Sequence, residues 1–282
     1  MLSKLTAEPL QKLAVDALTI KIYESPEDVA LAASELAHRI LQQVLSLRAE
    51  ARIVFATGRS QKQCLHNFTS HFNSPGHFNS PSHFNSHRAD EQFWSRITGF
   101  HLDEYLGIAA DHPASFRHYL RSHLTEKVKL KRFYEIEGDA LLPVSVCEAY
   151  EQALRSHPLD LCFLGIGENG HLAFNDPGVA NFDDPKWVKL VRLDHRNRLQ
   201  QAKSTAFDRL ESVPQYAFTL TLSAIKAIDN TLCLAFGESK AAIVSQLLDR
   251  TVSPACPASI LRQVQGSVLL LDQAAASKLT NC

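Results

Sequence analysis

The sequence predicts a doubly wound α/β fold, with a mostly parallel sheet and helices on both faces. Short apolar runs of strand length alternate with amphipathic stretches of helix length along most of the 282 residues, the rhythm of successive βαβ units. Three of those runs pass directly into loops rich in Gly, Ser, Asp or His, and such loops gather at the carboxyl edge of an open parallel sheet. The length suits one α/β domain as well as two. The reading is of a single domain over residues 1–282, carrying an insertion at about 69–90.

In chain order, Leu18–Tyr23 is the first expected strand. Ser25-Pro26-Glu27-Asp28 then starts a helix: Ser caps the free N–H groups, Pro has its φ preset for the first helical position, and the acids favour the positive end of the dipole. That helix runs to about Leu47 with Val29, Ala33, Leu36, Ile40 and Val44 along one face. Arg52–Ala56 is the next strand, entering Thr57-Gly58-Arg59-Ser60 and a short helix. Ile97–Leu102 is a strand that ends at Asp103. Pro113 is expected to open a helix to about Leu124, and Pro143–Arg155 forms another. Leu159–Leu164 is strongly apolar and flows into GIGENGHLAFNDPG. Val188–Leu193, Tyr216–Thr221, Thr231–Phe236 and Val268–Leu271 complete the strands, with a helix at about Lys240–Leu248 between the last two.

The insertion breaks this rhythm. HFNS occurs at 71–74, 77–80 and 83–86, so His71, His77 and His83 raise the question of a metal site. Its Ser, Asn, Pro and Gly content opposes regular structure, and no acid or Cys within the repeats at 71–86 supplies a further ligand. The reading is a duplicated surface insertion, with no metal.

Composition removes several classes of function. With 29 basic and 30 acidic residues the formal charge is −1, so no global field draws the chain to nucleic acid or an anionic membrane. The six cysteines are widely spaced and never form C-x-x-C, the pattern of buried, reduced thiols rather than a disulfide framework or zinc knuckle. The N-terminus has no apolar core of signal-peptide length, and no run reaches the roughly 18 apolar residues of a membrane span. A cytoplasmic protein is expected.

The three loops carry the chemistry. VFATGRSQ (54–61) follows a strand and starts a helix, so its backbone N–H groups, the Thr57 hydroxyl and Arg59 can face an anion. It is not a Walker A loop, and an ordinary strand–helix turn reads the same way. In GFHLDEYLGIAADHPASF (99–116), Asp103 and Glu104 adjoin at a strand end and should diverge to opposite sides. A carboxylate there can move a proton next to a carbonyl or imine, although an Asp-Glu pair also suits a solvated turn. Glu104 is read as a backbone hydrogen-bonding group without a catalytic role. In LDLCFLGIGENGHLAFNDPG (159–178), Gly165, Gly167 and Gly170 let the backbone turn sharply and approach a ligand. His171 then emerges as a proton shuttle, with Asn169 and Asp176 near enough in sequence to orient it. Trp94 and Trp187 are read as packing anchors, and His38, His112, His118, His123, His157 and His195 as surface or capping residues.

FHLDEYLG with DHPASF downstream, LGIGENGHLAFNDP and VSPACPASILR together resemble the glucosamine-6-phosphate deaminase/isomerase family. The resemblance runs from about Ile53 to the C-terminus, apart from the insertion. It implies a Rossmann-like fold and conversion of glucosamine 6-phosphate and water to fructose 6-phosphate and ammonia, without a metal or organic cofactor. It implies that Asp103 moves the proton between C2 and C1, that His171 handles the ring-oxygen proton, and that Asn169 and Asp176 support His171. The phosphate would rest on Thr57, Gly58, Arg59 and Ser60, with Lys240 of GESKAA reaching it. The partner is then a small sugar phosphate, and family members are often homo-oligomers.

Four positions depart from the family pattern: Asn169 where many members have Asp, Asp176 where Glu is usual, TGRSQ in place of Thr-Gly-x-Thr-Pro, and Gln201 where a phosphate-binding Arg is expected. Arg59, Arg196 or Arg198 are the candidates to replace that charge. Related 6-phosphogluconolactonases tend to have Asp-Glu-Arg where this chain has Asp103-Glu104-Tyr105, and Gly-His-Thr where it has Gly170-His171-Leu172. Lactone hydrolysis, or isomerisation of another amino-sugar phosphate, is the alternative within the class. The fold also serves as a sugar-phosphate sensor behind a helix-turn-helix. The roughly 20 residues before the first expected strand are too short for that module, and Asp103 and His171 are both present.

Overall fold

The computed structural model describes residues 7–70, 90–204, 207 and 209–279. The HFNS repeats, with His71, His77 and His83, lie outside these residues, as does Cys282. The strands are β1 Gln11–Val15, β2 Leu18–Tyr23, β3 Ala51–Phe55, β4 Ile97–His101, β5 Asp103–Tyr105, β6 Arg132–Phe133, β7 Leu161–Gly165, β8 Val188–Arg192, β9 Tyr216–Leu220, β10 Thr231–Ala235 and β11 Ser267–Asp272. Eight of them form one sheet in the order β1-β2-β11-β10-β7-β3-β4-β6. Every neighbouring pair in it is parallel except β1 with β2. Helices flank the sheet, and its central strands β3 and β10 are buried at every residue, as continuous apolar runs covered on both faces should be.

Helix α1, Pro26–Leu47, begins where the sequence placed it. Ser25 Oγ accepts from Asp28 N at 3.1 Å, Pro26 opens the first turn, and Glu27 and Asp28 lie beside the dipole's positive end. Its buried face includes the expected Val29 and Ala33 but is centred to one side of the expected stripe. Ala30, Ala33, Ala37, Leu41 and Leu45 line the core, while Leu36, Ile40 and Val44 sit half-buried on the flank. The small side chains allow close approach to the sheet, and that outweighs the stripe of larger residues. Helix α2, Arg59–Ser70, packs beside α1. His38 of α1 is a core residue rather than a surface one: it is buried, its Nε2 lies 2.9 Å from Phe68 O, and its ring is 4.5 Å from that of Phe68.

Four other expectations need correcting. Leu18–Tyr23 is not the first strand, because β1 precedes it as the other arm of a hairpin. The strands at 188–192 and 216–220 do not join the large sheet. They form a separate antiparallel sheet, β5-β9-β8, with the residues 103–105 that were expected to be loop. Asp103 therefore sits in a strand. The Pro113 helix starts later, at Phe116 with Ser115 as its cap, because a turn closed by Ser115 N and His112 O holds Pro113. That helix ends at Leu120 and continues as a π-helical turn, Arg121–Thr125.

The Trp and Cys readings agree with the structure. Trp94 is buried, and Trp187 is covered by the Arg155 guanidinium at 4.2 Å. Cys64, Cys147, Cys162, Cys233 and Cys256 are free and buried. No helix among the described residues is long and apolar enough to cross a membrane.

The α1 cap supplies a test of how the fold is held. Ser25→Ala should lower stability by about 1 kcal/mol in urea unfolding with an unchanged m-value. A loss below a few tenths would show that Asp28 and Pro26 set the helix start without Ser25.

Candidate active site

The large sheet reverses its winding between β3 and β7: β4 and β6 lie beyond one, β10 and β11 beyond the other. Ligands lodge outside the carboxyl ends of strands at such a point. The crevice is visible in the pairing. β3 meets β7 only at Ile53–Leu161 and Val54–Cys162, whereas β7 stays paired with β10 as far as Gly165. Past Phe55 the chain turns through Thr57 and Gly58, the latter with φ of 104°, left-handed backbone that favours Gly. Gly58 O accepts from Gln61 N at 3.0 Å and from the Tyr119 hydroxyl at 2.9 Å. Thr57 and Ser60 are half-buried and Arg59 is exposed. Gln61 is fully buried and spans the parted strands, its Nε2 donating to Leu164 O at 3.1 Å and to Ser60 Oγ at 3.2 Å.

Asp103 and its neighbour Glu104 are both buried in β5 and treated in opposite ways. Glu104 Oε1 accepts from Tyr105 N and Phe116 N at 2.9 and 3.1 Å, and Oε2 from Ser115 Oγ and Arg117 N at 2.7 and 2.9 Å. It therefore caps the helix that starts at Phe116, the structural role the sequence suggests. Asp103 is only 8% exposed. Burial holds its carboxyl well above the ordinary carboxylate range, and the Glu104 charge raises it further, with no hydrogen bond among the described residues offsetting either. His101 braces the strand from below. Its Nδ1 lies 2.9 Å from Asp103 O and its Nε2 accepts from Ile136 N at 2.8 Å, so the proton sits on Nδ1. Burial depresses its pKa to about 3, so it is neutral and acts as a brace rather than an acid.

The loop after β7 gathers the other predicted side chains. Asn169 Oδ1 accepts from His171 N at 3.1 Å and lies 2.7 Å from His171 Nδ1. Asn169 Nδ2 donates to Asp176 Oδ1 at 2.8 Å, and that oxygen is also 3.3 Å from His171 Nδ1. An amide oxygen only accepts, so Nδ1 carries a proton, and in the neutral ring Nε2 is then the atom with the lone pair. Gly167 makes room for the ring: a Cβ there would come within 2.2–2.4 Å of three His171 ring atoms. Gly170 adopts φ of 84° and lies against Ile243 and Cys256. Its carbonyl accepts from Ala258 N at 2.8 Å, so the VSPACPAS segment acts as the floor of this loop.

Three ties join the loop to Asp103. Thr219 of β9 is the register partner of Asp103, and its Oγ1 accepts from Phe174 N at 3.1 Å. Asn175 Nδ2 donates to Leu172 O at 2.9 Å and to Leu220 O at 2.8 Å. Leu220 N in turn donates to Leu102 O at 2.8 Å. Both halves of the site are thus pinned to β9. The sequence reading missed His101, Thr219 and Asn175. His101 and Asn175 stand within the quoted runs FHLDEYLG and LAFNDP, but Thr219 has no local signal because its role comes from the antiparallel pairing.

Lys240, in the turn before the helix Ala241–Asp249, is half-buried. Burial lowers its pKa and the Glu168 carboxylate opposes that shift, which puts its ammonium in the field of the His171 loop. Arg198 lines one cavity with Asn169 and Asp176, and its Nε and Nη2 donate to Val213 O and Leu210 O at 2.8–3.2 Å. Gln201 lies half-buried in the helix His195–Ser204, and the Arg196 side chain lies outside the described part. Among the described residues, no group of His, Cys, Asp or Glu is arranged to hold a metal ion.

A family model for glucosamine-6-phosphate isomerases/6-phosphogluconolactonase matches residues 24–270. A glucosamine-6-phosphate deaminase of an Exiguobacterium species is 38% identical over 184 residues, 65% of this chain and 70% of that protein. One from Listeria welshimeri is 36% identical over 185 residues, 66% of this chain and 77% of that protein. A solved monomeric glucosamine-6-phosphate deaminase superposes with a TM-score of 0.79 at 26% identity, covering 92% of this chain and 99% of that one. The 6-phosphogluconolactonase of Thermotoga maritima, at 0.68 and 19% over 90% and 99% of the two chains, shares the fold.

The packing of Gly167 on the imidazole is open to direct test. Gly167→Ala should eject the His171 ring from its bond to Asn169. The far-downfield Nδ1–H proton resonance, assigned by its absence in His171→Gln, should disappear while the far-UV circular dichroism is unchanged. A resonance that persists unshifted would show the loop absorbing the methyl group.

Proposed function

The chain belongs to the glucosamine-6-phosphate isomerase/6-phosphogluconolactonase family, and we propose that it is a glucosamine-6-phosphate deaminase, converting glucosamine 6-phosphate and water to fructose 6-phosphate and ammonia. The observation that carries this reading is a pair at one sheet edge: a buried carboxylate, Asp103, that no structural bond occupies, and an imidazole, His171, held in one tautomer by Asn169. Isomerising a 2-amino aldose calls for both. One group must open the ring and another must carry a proton between adjacent carbons. Lactone hydrolysis moves no proton between carbons, and the chain carries Tyr105 and Leu172 where lactonases tend to have Arg and Thr. The relatives at 36–38% identity support the same choice.

In this reading the substrate phosphate rests on the α2 N-terminus at Thr57, Gly58, Arg59 and Ser60, with Lys240 alongside. Anchoring the distal end fixes C1 and C2 against Asp103. His171 Nε2 takes the proton of the C1 hydroxyl and returns it to the ring oxygen, which opens the pyranose to the aldehyde. The Asp103 carboxylate then removes the C2 proton, and the electron pair forms C1=C2 as the aldehyde oxygen takes a proton from solvent. The same C2 proton returns from Asp103 to C1, leaving an iminium at C2. Water adds there, and loss of ammonia and one proton to solvent gives the ketose. Asp176 acts on His171 through Asn169. Gly170 shapes the pocket wall, since its own N–H and C=O are used within the loop. All of these groups come from one chain, which we read as one catalytic domain.

The decisive assay is release of ammonia from glucosamine 6-phosphate with fructose 6-phosphate measured in parallel. Equal amounts of both are expected. A folded but silent protein that opens 6-phosphogluconolactone would replace this reading with the lactonase one.

Asp103 gives two further predictions. Its carboxyl is raised by burial in the free enzyme, so the acid limb of kcat/KM against pH should lie above the ordinary carboxylate range, and a limb near pH 4 would remove Asp103 as the base. The raised value also fixes the sign of its effect on stability. The folded protein holds this proton more tightly than the unfolded chain, so stability falls as pH rises from the unfolded value to the folded one, and stays reduced above it. Asp103→Asn should therefore abolish turnover yet raise the melting temperature at neutral pH, with the gain shrinking toward pH 3–4. A variant that is inactive and less stable would mean that Asp103 is structural.

A further inference from the structure

The gap where β3 and β7 part is bridged by one side chain, Gln61, that the proposed chemistry leaves unused. Its amide orientation is fixed by its surroundings. Leu164 O can only accept, so the group facing it at 3.1 Å is Nε2, and the second Nε2 proton is directed at Ser60 Oγ, 3.2 Å away. Ser60 Oγ is therefore an acceptor in this bond, and its own proton is free for another partner. The remaining atom, Gln61 Oε1, is buried with no hydrogen bond. A buried acceptor left unpaired is destabilising, so Oε1 offsets part of what the Nε2 bond to Leu164 O contributes to the fold. The amide is specific in what it orders.

We infer that Gln61 is a positioning residue for phosphate binding. By donating to Ser60 Oγ it turns the Ser60 hydroxyl proton outward to a phosphate oxygen. By bonding Leu164 O it keeps the phosphate turn in register with the strand that leads into the His171 loop. The crevice needs such a strut, because the β3–β7 ladder stops at Cys162. This inference rests on Ser60 as a phosphate ligand and extends the proposed function to the residue behind it. The substrate class it serves is a phosphate monoester.

The test is a double-mutant cycle read by titration calorimetry with inorganic phosphate, alongside steady-state kinetics on glucosamine 6-phosphate. Gln61→Met removes the donor at nearly constant volume, and Ser60→Ala removes the hydroxyl. Each single change should weaken phosphate binding about tenfold, and the double variant should bind no more weakly than Ser60→Ala. KM should rise while kcat stays within about threefold. Wild-type affinity in Gln61→Met, losses that multiply to about a hundredfold in the double variant, or a wild-type protein that binds no phosphate would each overturn the inference. Should Gln61→Met fail to fold, Gln61→Glu serves instead. Its carboxylate only accepts and would draw the Ser60 proton to itself, so phosphate binding should weaken at least as much, and unchanged binding would overturn the inference. Phosphate titration is independent of turnover. A protein that binds phosphate through this pair but releases no ammonia would therefore refute the deaminase reading and leave the role of Gln61 standing.

Discussion

Glu104 takes four hydrogen bonds from Tyr105, Ser115, Phe116 and Arg117, and the site follows from that one buried carboxylate. It fixes the start of the helix at Phe116 and, with it, the direction in which β5 leaves the large sheet. Alternation along a strand then puts the next carboxylate, Asp103, on the opposite side, where no donor waits for it. Two adjacent acids are buried within one strand of three residues. One is satisfied by structure and the other is left with its burial uncompensated except by reaction. A buried, unpaired carboxylate is something a fold discards unless it has a use, and the difference between these neighbours separates scaffold from chemistry.

Much of the architecture was legible because its signals are local. The α1 cap at Ser25, the proline starts at Pro26 and Pro143, and the apolar runs at Leu18–Tyr23 and Thr231–Ala235 each report on a few consecutive residues. What escaped depends on distant partners. β5, β8 and β9 form a second sheet because Glu104 faces Phe218 and Leu190 faces the same residue from the other side. Nothing within three residues at 103–105 can announce that pairing. The inward turn of α1 likewise depends on which stripe meets the sheet, and small residues win there because they let the backbones approach closely. His38 followed the same course. A histidine on a helix reads as solvent-facing until Phe68, thirty residues away in sequence, offers its carbonyl.

The site divides in the same way. Asn169, His171 and Asp176 were legible as a set because eight residues of one loop hold all of them, and the structure bonds them to one another. Thr219 and Asn175, which hold that loop to the strand beside Asp103, were not, since their work consists of contacts about 45 residues apart in sequence. Local sequence names the reacting groups, and long-range pairing sets their spacing. The VSPACPAS segment shows how the two combine. It reads as a motif, yet its contribution is a floor under Gly170 through Ala258 N, at a place where a left-handed glycine leaves little room for anything else.

The two departures around His171 are best understood together. Asn169 Nδ2 and Asp176 Oδ1 stand 2.8 Å apart. An aspartate at 169 would set two carboxylates at hydrogen-bond distance, and like charges that close cannot both ionise without a large penalty. The amide avoids this by presenting different atoms to its neighbours, a carbonyl to the imidazole and an N–H to the acid. A neutral group at 169 also allows the acid behind it to be short. Asp176 reaches the amide and comes within 3.3 Å of His171 Nδ1, so a longer side chain at 176 would have to fold back to keep the same bond. The amide and the shorter acid fit each other, and either change alone would leave a gap or a repulsion in the relay. The imidazole proton stays on Nδ1 in this arrangement because the only atom Asn169 offers it is an acceptor. The free lone pair of Nε2, which ring opening requires, follows from that choice of amide.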